Sequence, residues 1–144
     1  MAYAQASDLI ERFGAVELIQ LTDRTNVPPS TLDATAVARA LGDAAALADG
    51  YLARVCALPL PAVPPVLVRI TADIARYYLR GESVEKDGPV ALAYRDAVAW
   101  LKDVADGRVR LDGGAGAPAE PAPGAAGRVE ASRPVFTRDG LRGF

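Results

Sequence analysis

The chain of 144 residues contains no histidine, one cysteine (Cys56) and one tryptophan (Trp100). Without imidazole there is no Ser-His-Asp or Cys-His pair, and without a Cys/His cluster there is no zinc site, so the commonest catalytic and metal centres are excluded. A lone cysteine forms no intramolecular disulfide. Its setting, Leu52-Ala-Arg-Val-Cys-Ala-Leu58, reads as a small buried hydrophobe in a protein of a reducing cytoplasm. No stretch approaches the ~20 uninterrupted apolar residues of a membrane span. The opening Met1-Ala-Tyr-Ala-Gln-Ala-Ser-Asp8 lacks the basic start and apolar run of a signal peptide. The expectation is a soluble, unexported protein with no membrane contact, no cofactor and no metal.

Proline and glycine are plentiful but unevenly placed, and they divide the chain. After Gly107, amphipathic Ala/Leu segments give way to a Pro/Gly/Ala stretch and then to an Arg/Phe-bearing peptide. Three parts follow: a helical body at 1–112, a linker at 113–127 and a C-terminal docking peptide at 128–144. The linker's 15 residues could reach roughly 45 Å at ~3.1 Å per residue in polyproline-like form. The terminal peptide has too little apolar surface to offset its ordering entropy unless another surface receives it. Charge divides the same way. Residues 1–107 hold 10 Lys/Arg against 14 Asp/Glu, while 108–144 hold 6 Arg against 4 Asp/Glu. An acidic body is a poor DNA clamp.

Within the body the periodicity predicts two short and three long helices. Ser7 is placed to cap a helix ending near Phe13, and Gly14 to turn the chain. Val16, Leu18, Ile19 and Leu21 form the apolar set of a second short helix, and residues 22–32 form a loop with paired prolines. Asp33 is placed to cap a helix over 34–53, whose stripe is Val37, Leu41, Ala44, Leu47 or Ala48, and Tyr51 or Leu52. Four prolines between Leu58 and Pro65 make a stiff connection, and Pro65 suits the first turn of a helix over 65–80 lined by Leu67, Ile70, Ile74 and Tyr77 or Tyr78. A last helix opens at Asp87 and Pro89, carries Val90, Tyr94, Ala97, Val98, Leu101 and Val104 inward, and stops at Gly107. The alternation of Arg108, Val109, Arg110 and Leu111 leaves room for one short strand. The fold class is all-α, a small helical bundle with an extended C-terminal arm.

Few residues offer chemistry. Gly113-Gly-Ala-Gly116 has no Lys-Ser/Thr and no strand–helix context, so it is not a phosphate loop. Carboxylate pairs such as Asp43 with Asp49, or Asp103 with Asp106, have the spacing of ordinary solvated helix positions. The candidates are for contact. Arg69, Asp73, Arg76 and Arg80 make a stripe of alternating sign, read either as a solvated face or as a charged subunit contact. Trp100 sits at the edge of an apolar stripe, as core or interface. Arg133, Phe136, Arg138, Leu141, Arg142 and Phe144 interleave cations with apolar anchors suited to an acidic, apolar groove on a protein.

Several segments together resemble the head-tail connector proteins of Mu-like phages and prophages. They are Asp8-Leu-Ile-Glu-Arg-Phe-Gly14, Glu17-Leu-Ile-Gln-Leu-Thr-Asp-Arg24, Asp49-Gly-Tyr-Leu52, Val63-Pro-Pro-Val-Leu67, Ala72-Asp-Ile-Ala-Arg-Tyr77, Tyr94-Arg-Asp-Ala-Val-Ala-Trp-Leu101 and Phe136-Thr-Arg-Asp-Gly-Leu-Arg-Gly-Phe144. The resemblance implies a structural virion protein at the neck, made in the host cytoplasm and without enzyme activity. It implies an all-helical ring, twelvefold, between the portal protein and a tail-side stopper or terminator. DNA would pass through the channel without sequence-specific binding. The chain departs from the family pattern after Asp23, where Arg24-Thr-Asn-Val-Pro-Pro29 replaces an Asp-Gly-Asp-Gly run, so cation binding by that loop is not expected. A different class, a small cytoplasmic DNA-binding regulator with an arginine-bearing arm, is the alternative.

Overall fold

A computed structural model describes residues 2–111. The linker and terminal-peptide expectations, including Arg133, Phe136, Arg138, Leu141, Arg142 and Phe144, lie outside the described residues. Five α-helices follow in order: α1 (Ala6–Phe13), α2 (Ala15–Thr22), α3 (Ala34–Leu52), α4 (Pro65–Arg80) and α5 (Pro89–Ala105), with a 3₁₀ turn at Gly81–Ser83. The body is all-α, as the periodicity requires.

The short helices begin and end differently from the sequence-based expectation. The cap of α1 is Gln5 and not Ser7: the Asp8 carboxylate accepts the Gln5 backbone N–H at 2.7 Å, so the helix starts one residue before Ser7. Gly14, at φ 86°, turns directly from α1 into α2. Thr22, expected in the loop, closes α2 instead. Its hydroxyl donates to the Leu18 carbonyl at 2.7 Å and accepts the Asp33 N–H at 3.2 Å, which ties the end of α2 to the start of α3.

The long helices follow their caps. Asp33 accepts from the N–H groups of Thr35 (2.9 Å) and Ala36 (3.1 Å), satisfying donors that a helix start leaves open. Pro65 and Pro89 occupy first turns, where a missing N–H costs nothing. The peptides Val27–Pro28 and Leu58–Pro59 are cis. At the end of α5, Gly107 (φ 75°) donates to the Val104 carbonyl at 2.9 Å and Arg108 to the Asp103 carbonyl at 2.8 Å, a Schellman closure. That closure also explains why the short strand for which 108–111 left room does not form: the Arg108 and Val109 N–H groups both turn back to Asp103.

Helix α4 is the centre, touching the other four helices, while α3 and α5 also pack on each other. Its Leu67, Ile70, Ala72, Ile74 and Ala75 are buried together with Val37, Ala44, Ala48 and Leu52 of α3 and Ala97, Leu101 and Val104 of α5. The buried alanines of α3, including Ala40 and Ala45, let α3 and α4 approach closely. Leu41, Leu47 and Tyr51 are only half-buried at the margin. Each fully buried large aliphatic contributes roughly 1.5–3 kcal/mol, so three packed stripes hold the body.

The long helices α3, α4 and α5 alternate in direction, which gives the body two poles. Arg54, just beyond α3, lies 4.0 Å from Asp106 at the end of α5. At the other pole the start of α3 and the end of α4 line one hollow with the 22–31 loop.

Candidate functional site

Two surface constellations stand out, one on each flank of α4. The first joins the α1–α2 hairpin to α4. Glu17 of α2 accepts two hydrogen bonds from Arg76, from Nε at 2.9 Å and Nη2 at 2.8 Å, and a third from Arg80 Nη2 at 3.0 Å. Burial works to raise the Glu17 pKa, but the Arg80 and Arg76 bonds and charges outweigh it and hold the carboxyl below its ordinary value. The Arg76 guanidinium also lies 4.4 Å from the centre of the Phe13 ring, a cation–π contact from α1. Arg76 and Arg80 are therefore committed inside the chain.

The remaining members of that stripe behave differently. Arg69 Nε lies 3.8 Å from Asp73 Oδ2, one turn apart on α4, and Arg69 is exposed. Burial pushes the Asp73 pKa up despite the nearby Arg69, Arg12 and Arg76 charges. Arg69 is thus the outward cation among the three arginines of the stripe. Trp100 is half-buried and packs against the core from α5. Cys56 is half-buried, free, and pushed up in pKa by desolvation.

The second constellation is the loop between α2 and α3. One carboxylate organises it: Asp23 Oδ1 accepts from the N–H groups of Thr25 and Asn26, both at 3.0 Å. Oδ2 accepts from Ser30 N and Thr31 N, both at 2.9 Å, from Asn26 Nδ2 at 2.9 Å and from Thr31 Oγ1 at 3.1 Å. The bonds from Ser30, Asn26 and Thr31 hold the Asp23 carboxyl well below the usual range. Its lone pairs are occupied by the loop's own donors, so Asp23 is a structural hub. The loop walls an open hollow of 510 Å³ with α3 and α4, where Arg24, Arg39, Asp43 and Tyr78 are among the lining residues. Tyr78, pushed up to about 12 by burial and by Tyr94, belongs to a cluster in which Tyr77 and Tyr94 stack at 4.0 Å. The loop's tip faces solvent: Val27 is 98% exposed.

Sequence reasoning missed Glu17, Phe13 and Asp23 as organisers. Only Asp23 left a local trace, because an Asp followed by Thr, Asn, Ser and Thr donors within eight residues is an Asx-type turn signature. Among the described residues no group of three or more His, Cys, Asp or Glu is placed to hold a metal ion. No helix among them is long and apolar enough to cross a membrane.

Relatives of this arrangement are phage proteins. The chain is 34% identical over 138 residues to "Gene product J" of Escherichia phage Mu, covering 96% of each chain. It is 35% identical over 109 residues to "Mu-like prophage FluMu protein gp36" of Haemophilus influenzae, covering 76% of this chain and 74% of the relative. The family model described as "Bacteriophage Mu, Gp36" matches residues 3–130, which takes in nearly the whole body, all of 113–127 and the first three residues of 128–144, and the chain therefore belongs to the bacteriophage Mu Gp36 family.

Proposed function

We propose that this chain is a structural neck protein, a head-tail connector that assembles as a ring, twelvefold, between the portal and a tail-side stopper or terminator. The observation that carries the reading is kinship with phage Mu proteins along nearly the whole chain, joined to a body whose surface features are docking features. Its ion pairs tie helices together, the loop held by Asp23 presents an apolar tip, and an acidic body suits a channel along which DNA slides. No bond-making chemistry and no cofactor belong to this role. The virion neck is its place, after synthesis in the host cytoplasm.

In this reading the bodies pack side by side through faces that include Arg69 and Asp73, with Trp100 near the contact. The peptide Arg133 to Phe144 inserts into the portal or an adjacent subunit. Tethering raises the effective concentration of such a peptide to about millimolar, and a closed ring multiplies the engagement.

Electron microscopy of a lysate from a phage deleted for this reading frame tests the role. Separate heads and tails are expected. Intact tailed particles in normal numbers would overturn it and turn attention to DNA binding, whose signature is a steep fall of affinity with salt. A chain ending near Asp112 that still assembles on portals and yields normal infectious particles would exclude the arm as the docking element.

A further inference from the structure

We draw no further inference here: the strongest candidate, the open hollow that the 22–31 loop forms with the start of α3 and the end of α4, is rimmed by exposed charges of both signs at Arg24, Arg39 and Asp43, and nothing in the structure shows what covers it.

Discussion

Glu17 and Arg76, 59 residues apart in sequence, meet as a bidentate pair with both bonds under 3.0 Å, and Arg80 adds a third donor to the same carboxylate. The pair fastens the α1–α2 hairpin to the central helix. The side chains are mostly shielded, at 21% exposure for Glu17 and 23% for Arg76, so the contact differs from the freely solvated ion pairs that contribute almost nothing.

Replacing Glu17 by Gln keeps the shape but leaves Arg76 and Arg80 without their counter-charge. The expected loss is about 1–3 kcal/mol, seen as a lower urea midpoint at an unchanged slope. The pH dependence has a definite sign. Glu17 has a depressed pKa in the folded state, so its stabilisation is fully present above the unfolded value of ~4.3 and is lost as pH falls through the folded value. The gap between wild type and Glu17→Gln should therefore close on acidification below about pH 4.

Asp23→Ala should free the loop without unfolding the body. Amide exchange at Thr25, Asn26, Ser30 and Thr31 is expected to accelerate by about tenfold or more, while amides of α4 and α5 keep their protection. In the wild-type chain the depressed Asp23 pKa keeps the carboxylate charged below the unfolded value of ~3.9, so the same amides should remain protected at pH 3. Loss of their protection near pH 4 would contradict the hub role.

Thr71 is fully buried on α4 and its hydroxyl has no hydrogen-bond partner. Thr71→Val fills the same space and removes the unsatisfied group. It should stabilise the protein by about 1 kcal/mol, measurable as a raised denaturation midpoint, whereas Thr71→Ala opens a cavity and should not.

At Gly107 an added Cβ meets no atom within 4 Å, yet the residue sits at φ 75°. Gly107→Ala therefore tests backbone strain without a clash. A loss of about 1 kcal/mol is expected, accompanied by faster exchange of the Arg108 amide that closes the helix on Asp103.

The long helices were legible because their signals are local. Asp33, Pro65, Pro89 and Gly107 each mark a boundary by a property of one residue, and the apolar spacing of Leu67, Ile70 and Ile74 survives into the core. The start of α1 was read two residues late, because Ser7 is a good cap by type but Asp8 reaches back to Gln5 first. The short strand left possible after Gly107 does not form, because alternation over four residues is weaker than two closing hydrogen bonds.

Functional surfaces were less legible. The stripe Arg69, Asp73, Arg76 and Arg80 could be read from its spacing, but spacing does not reveal a partner 59 residues away, and Glu17 claims two of its arginines. By itself the sequence determined the all-α body, the boundaries marked by Asp33, Pro65, Pro89 and Gly107, and the break between an acidic body and an arginine-bearing tail, because propensity, capping and charge belong to single residues and their near neighbours. Tertiary structure alone decided which charges are spent within the fold, which loop is locked, and which pole presents Val27. Those outcomes depend on helices meeting across long sequence separations, where geometry and burial, not composition, set the energy.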